Sequence, residues 1–210
     1  MRGAGIKRGM LVLAVSGLGM LATTLQAATV DKVVAIRAGQ MIDVVAGRTL
    51  ANQVIIIEGE RIKTVGAAAE VIDLTRATVL PGLIDVHTHL TGDPSQQGYK
   101  ALAITDVRAA LFGVRAARLT LAAGFTSVRN VGAEGFGDVA LRDAINDGDF
   151  IGPRMLVSAY ALGIKGGHCD NNLLPHDFEY TGRGVADGPW AARTKVREMV
   201  KYGADLIKIC

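Results

Sequence analysis

Between residues 31 and 80 the apolar positions come in short branched runs separated by polar or glycine-bearing breaks. Val33-Val34-Ala35-Ile36 and Val54-Ile55-Ile56-Ile57 have the composition of strands. Glu58-Gly59-Glu60-Arg61 reads as a turn into Ile62-Lys63-Thr64-Val65, which predicts a hairpin. Val71 to Leu74 and Thr78 to Leu80 predict two more short strands. The stretch is a small β-module, expected to be one part of a sandwich. After Pro81-Gly82 the rhythm changes. Leu83 to His87 predicts a strand, and Thr105 to Ala122 a helix whose Leu111, Val114, Ala117 and Leu121 recur at near-helical spacing, with Gly124 as its stop. Phe125 to Arg129 predicts a strand, Asp138 to Ile145 a helix ended by Gly148, and Arg154 to Ala159 another strand. A loop rich in Gly and Asn runs from Leu162 to Gly188. Pro189 then opens a helix to Tyr202 that Gly203 stops, and Asp205 to Cys210 predicts a last strand.

Strands alternating with helices imply right-handed βαβ units and a parallel sheet. The expected fold class is therefore α/β: the N-terminal half of a (β/α)8 barrel, preceded by part of a small β-sandwich. A complete barrel takes about 250 residues, and residues 83 to 210 supply 128. The expectation is a chain truncated at the fourth strand, with domains at 1–27 (signal peptide), 28–80 (sandwich part) and 81–210 (first half of the barrel).

Composition adds two points. Half the residues are apolar and 20% are charged, which excludes a disordered or fibrous chain. The net charge of +3 is carried by Arg2, Lys7 and Arg8; beyond them the 20 basic and 20 acidic residues balance. The charge is therefore no sign of a nucleic-acid partner. It belongs to a targeting pattern: a positive start, an uncharged run of sixteen from Met10 to Leu25, and small residues at Gln26-Ala27-Ala28. Sixteen helical residues span about 24 Å, short of the roughly 30 Å hydrocarbon core. Cleavage near Ala27 or Ala28 and a periplasmic or secreted location are expected, with no stable membrane insertion afterwards. Two cysteines, Cys169 and Cys210, are too few for a stapled scaffold, and sequence does not decide whether they pair. No sequence feature sets an oligomeric state.

Four histidines occur: His87, His89, His168 and His176. His87 and His89 stand two apart at the end of the first strand of the parallel sheet, where alternation puts both imidazoles on one face and within reach of one cation. Parallel barrels carry their catalytic groups at such strand ends. Asp85 shares that parity and could orient an imidazole, approach a metal, or be satisfied by backbone amides. Lys208 lies inside the apolar run Leu206-Ile207-Lys208-Ile209. An unpaired buried ammonium costs several kcal/mol, so Lys208 must snorkel to the strand end, find an acid, or lose its charge as a carbamate able to bridge two cations.

Val79-Leu80-Pro81-Gly82-Leu83-Ile84-Asp85-Val86-His87-Thr88-His89 resembles the first-strand signature of the amidohydrolase superfamily. Ala122 to Asn130 resembles the second-strand entry of its imidazolonepropionase-related branch. Gly166-Gly167-His168-Cys169-Asp170 and Gly203 to Ile209 resemble segments of the exported, prolidase-type dipeptidases of that branch. The resemblance spans about residues 31 to 210. It implies that His87 and His89 bind the more buried of two divalent metal ions, usually zinc. Lys208 is then the carboxylated lysine that bridges them, and His168 faces the substrate. His176 receives no role. Asn130 stands where relatives often have Asp. Two further metal-binding histidines, on the fifth and sixth strands, and a general-base Asp on the eighth have no counterpart before Cys210, so the catalytic base is unassigned.

The implied chemistry is hydrolysis of a C–N bond, with a dipeptide or N-acyl amino acid as the small-molecule substrate. A shared hydroxide on two cations would be the nucleophile, and acid should release metal because only neutral imidazole binds. The 210 residues alone are expected to be inactive. The alternatives are a hydrolase of cyclic amides, imidazolones or lactones, and a non-catalytic exported binding module.

Overall fold

The computed structural model describes residues 33–64, 70–178 and 180–210. The expected signal segment 1–27 lies outside them, as does Val65 of the expected hairpin. By internal contacts the chain divides into two units. One takes the described residues up to Met41 with Thr49–Val79, and the other Ile42–Arg48 with Leu80–Cys210.

The first unit contains a four-stranded sheet built from β1 (Val33–Asp43), β2 (Arg48–Glu58), β3 (Arg61–Thr64) and β4 (Glu70–Val79), in the order β3-β2-β1-β4. The β2–β3 hairpin is antiparallel, with Glu58 opposite Arg61 and Gly59 at φ +59°, a left-handed turn position that suits glycine. β4 is one strand, Glu70–Val79, where two were expected. The polar break Thr75-Arg76-Ala77 is a bulge: β4 pairs in parallel with β1 on both sides of it, from Val34–Glu70 to Met41–Val79, and the register shifts between Ala38 and Gln40. Gly39 lies beneath this bulge, where a Cβ would overlap the Thr75 carbonyl oxygen.

In the second unit β5 (Leu83–Thr88), β6 (Phe125–Asn130) and β7 (Arg154–Val157) form a parallel sheet in that order, and β8 (Ala161–Leu162) pairs in parallel with β9 (Lys208–Ile209). A 3-10 helix (Gly98–Ala103) and α1 (Asp106–Ala122) join β5 to β6; α2 (Gly137–Asn146) joins β6 to β7; α3 (Gly188–Lys201) lies between β8 and β9. The boundaries have local causes. Thr105 Oγ1 accepts the Arg108 N–H and caps α1. Pro189 sits in the first turn of α3, and Gly124, Gly148 and Gly203 follow the three helices at positive φ.

One face of the β5–β7 sheet is packed. Val128, Asn130, Met155 and Val157 lie in register there, buried with Ala117, Val139, Leu141 and Met199 from the three helices. The opposite face carries Ile84, Arg129 and Leu156, and among the described residues nothing covers it; Ile84 is 68% exposed. The stripe expected on α1 is corrected at one position: Leu111 is 60% exposed, while Ala117 is buried as expected, Val114 packs against the core, and α1 also buries Gly113. Its small residues face inward because Leu141 and Thr91 already fill that space: a Cβ on Gly113 would lie 3.0 Å from Leu141 Cδ2 and 3.1 Å from Thr91 Cγ2.

Two strands are shorter than expected. The third ends at Val157, and Ala159, at φ +57°, turns the chain before β8. The fourth keeps only Lys208–Ile209, because the N–H groups of Asp205 and Leu206 both converge on the Val157 carbonyl. Asp205 Oδ2 completes this corner by accepting from Val157 N at 2.9 Å and from Arg142 Nη1 at 2.7 Å.

Candidate functional site

The last turn of β5 is irregular, and that irregularity presents the histidines. The register with β6 shifts between Asp85 and Thr88, leaving one extra residue on β5. Two backbone groups there are taken by side chains. Arg129 Nε donates to the Val86 carbonyl at 2.7 Å, and the His87 N–H donates to Asp85 Oδ1 at 2.9 Å. Of the three roles open to Asp85, the structure shows the backbone one. A bulge of this kind re-aims the side chains that follow it.

His87 and His89 are brought together: both are exposed, with ring centroids 5.5 Å apart and planes inclined by 59°. Two imidazoles holding one tetrahedral cation through bonds of about 2.0–2.1 Å have centroids on the order of 5 Å apart, so the pair could hold a divalent ion. His89 Nδ1 lies 3.2 Å from the Gly132 carbonyl oxygen. A carbonyl only accepts, so Nδ1 carries the proton and Nε2 keeps its lone pair for a ligand. Gly132, at φ +149°, permits this approach; a Cβ there would lie 3.2 Å from His89 Cε1.

Lys208 is half-buried and in register with Ala161, so the two side chains leave the β8–β9 ladder on the same face. The Ala161 side of that face abuts the His89 neighbourhood, since a Cβ on Gly132 would also lie 3.7 Å from Ala161 Cβ. Among the described residues Lys208 Nζ has no carboxylate partner. His168 is exposed on the turn that follows β8, beside Cys169, and lines neither cavity at the strand ends. His176 is fully exposed, 4.0 Å from Asp177. Among the described residues no group of three or more His, Cys, Asp or Glu side chains is arranged to hold a metal.

Several residues that sequence reasoning left without a role shape the site. Cys169 and Cys210 are joined in a disulfide, with Cα atoms 6.0 Å apart, which ties the His168 turn to the strand that carries Lys208. Asp170 holds the same turn by accepting N–H bonds from Gly166 and Gly182, both at 2.8 Å, and these hold its carboxyl below the usual range. Asn130 and Asp138 are fully buried and bonded to each other at 3.2 Å. Asp138 looks in sequence like an ordinary first-turn acid of α2. Its side chain points inward instead, accepting from Ala159 N at 3.1 Å and Val139 N at 2.9 Å, and burial pushes its carboxyl up against the opposing pull of these bonds.

A cavity of about 290 Å³ beside His89 is lined by Glu134, Tyr160, Cys169 and Gly184, and opens near a broader groove of about 1290 Å³ along α1. Arg183 Nη1 binds Asp106 Oδ2 at 2.5 Å. That carboxylate first, and the Tyr160 hydroxyl second, hold the guanidinium further above its ordinary range. Glu134 lines both spaces; burial raises its carboxyl, Arg183 lowers it and Asp106 raises it again.

Parallel barrels carry their catalytic groups at strand ends, and the His87–His89 pair stands at such a place in this parallel α/β unit. The model of the amidohydrolase family matches residues 78–210. The chain belongs to that family. Ochratoxinase of Aspergillus niger is 31% identical over 190 residues, covering 78% of this chain and 39% of its own. A crystal structure of a Xaa-Pro dipeptidase with methionine bound in its active site superposes with a TM-score of 0.75 at 34% identity, over 85% of this chain and 47% of the other. A prolidase complexed with N-methylphosphonate-L-proline gives a TM-score of 0.72 at 31% identity, over 85% and 46%. The chain thus spans less than half the length of these relatives.

Proposed function

We propose that the protein is a metal-dependent hydrolase of C–N bonds whose substrate is a dipeptide or an N-acyl amino acid. The observation that carries this reading is the His87–His89 pair, 5.5 Å apart at a strand end, with His89 Nδ1 tied to Gly132 so that Nε2 is left for a ligand. The likeness to a Xaa-Pro dipeptidase, a prolidase and an ochratoxinase supports the bond class.

In this reading the parallel unit is the first half of a (β/α)8 barrel, and the four-stranded sheet belongs to a β-sandwich. The uncovered face with Ile84, Arg129 and Leu156 is then the barrel interior. His87, His89 and Lys208, the last as a carbamate, are the residues that would hold the two divalent ions, usually zinc, that the resemblance implies. Bound there, the ions would supply a hydroxide nucleophile near neutral pH and polarise the substrate carbonyl. The chain's own part is to present the His87 and His89 rings, with His89 Nε2 left for a ligand, to bring Lys208 in from the fourth strand, and to offer His168 to the substrate from the disulfide-tethered turn. The resemblance also implies two further histidines and a general-base Asp that are not assigned here, and residues 28–210 assayed alone are expected to show no dipeptidase activity. Export behind the signal segment agrees with the Cys169–Cys210 bond, which persists in oxidising compartments.

Metal analysis and a panel of dipeptides, N-acyl amino acids and lactones, run on the protein with its barrel complete, test the reading. At least one equivalent of zinc, manganese or iron is expected, with hydrolysis of the first two substrate types and loss of metal in His87→Asn and His89→Asn. Less than one equivalent in the wild type defeats it. Zinc retention should fall as the histidines protonate on acidification, since only the neutral ring binds.

A further inference from the structure

Asn130 makes contacts with all of its polar atoms although the side chain has no exposed surface. Its Oδ1 accepts from the Leu90 N–H at 2.7 Å and from Thr88 Oγ1 at 3.4 Å. Its Nδ2 donates to the Gly132 carbonyl and to Asp138 Oδ2, both at 3.2 Å. Leu90 and Thr88 are the two chain neighbours of His89, and the Gly132 carbonyl is the acceptor of the His89 ring proton at 3.2 Å. One buried amide therefore holds the backbone N–H after His89, the side chain of the residue before it, and the oxygen that orients its imidazole. The amide can sit only one way round: a backbone N–H must meet an oxygen and the Asp138 carboxylate must meet a donor. Asp138 is anchored in turn by the N–H groups of Ala159 and Val139, so the sheet face, α2 and the end of the third strand all bear on this point.

We propose that Asn130 is a positioning residue for His89, setting the ring's tautomer and its direction through Gly132, with Asp138 as the buried anchor. The proposal rests on the reading of His89 as a metal ligand, but the ring's tautomer can be measured without metal. Partners one bond removed from a ligand commonly change metal affinity by about 10- to 100-fold when altered.

The decisive variant is Asn130→Asp, which keeps the acceptor for Leu90 but loses both donors and places a carboxylate against Asp138. Long-range 15N–1H NMR on the metal-free full chain, above the histidine titration range and with His89 assigned by comparison with His89→Gln, reads the tautomer. Competition with a chelator reads Zn2+ affinity. The wild-type ring is expected as the Nδ1–H form. N130D should give mixed tautomers and bind Zn2+ about 10- to 100-fold more weakly. Wild-type His89 protonated on Nε2, or a folded N130D with tautomer and affinity both unchanged, overturns the inference. If N130D does not fold, Asp138→Asn, which loosens the anchor at nearly constant shape, is read by the same two measurements; no change in either again overturns it. A tautomer that moves in the variant while neither protein binds Zn2+ upholds the positioning role and defeats the metal reading instead.

Discussion

Removing the cross-link between Cys169 and Cys210 with the double substitution C169S/C210S isolates one non-local constraint. The two residues are 41 apart in sequence, and closing a loop of that size removes denatured-chain entropy equivalent to roughly 4 kcal/mol at 25 °C. The native turn should survive the substitution, because it is stitched independently. Asp170 holds Gly166 and Gly182, Ala186 N donates to the Gly163 carbonyl at 2.8 Å, and Cys210 N donates to the Leu162 carbonyl at 2.9 Å. The loss should therefore appear mainly as a stabler unfolded state. In a protein of this size 4 kcal/mol corresponds to a drop in Tm of roughly 8–16 °C. Guanidinium titrations of the oxidised wild type and the variant are the assay, and the variant should also show a larger m-value, since its unfolded chain expands further. Two free thiols in the native wild type would refute the pairing. A difference below about 1 kcal/mol with the bond confirmed would refute the loop-closure argument.

Three further outcomes follow from packing and charge. Met199→Ala, at a fully buried side chain of α3 in the core, should cost about 2–5 kcal/mol in chemical denaturation, without a change in secondary structure by circular dichroism. Asp106→Asn breaks the pair with Arg183, whose two side chains are 39% and 47% exposed; the cost should stay within about 1 kcal/mol and shrink further in high salt. Asp170 has a depressed carboxyl in the folded chain, so its contribution is present above the ordinary Asp range and is lost as pH falls through the folded value. Asp170→Asn should flatten that acid-side loss of stability, which urea titrations of both proteins at neutral and acid pH would show; an unchanged slope counts against it.

Much of the local structure was legible because its causes are local. Thr105, Pro189 and the glycines after each helix act within a turn of their own positions, and the β2–β3 hairpin is set by the two residues between its strands, Gly59 and Glu60. That His87 and His89 would meet was legible from their spacing at a strand end, although the bulge between Asp85 and Thr88 that presents them was not. Where the reading departed from the structure, a distant partner was responsible. The break at Thr75 became a bulge because β1 runs beneath it with Gly39 at the crossing. Leu111 was placed inward by its spacing along with Val114 and Ala117, yet Leu141 of α2 and Thr91 after β5 crowd the inward face of α1 at Gly113, and Leu111 is left exposed.

Sequence by itself determined the alternation of strands and helices, the hairpin, the helix ends, and the candidate ligands His87, His89 and Lys208. Tertiary structure alone decided the bulge held by Arg129 and Asp85, the Asn130–Asp138 node behind His89, and the bond from Cys169 to Cys210. The division has one physical cause. Propensity, capping and periodicity act over a few neighbouring residues, whereas a buried polar atom must find its partner wherever the packed chain places one, and the bonds from Arg129 to Val86, Asn130 to Asp138 and Cys169 to Cys210 span 8 to 43 positions.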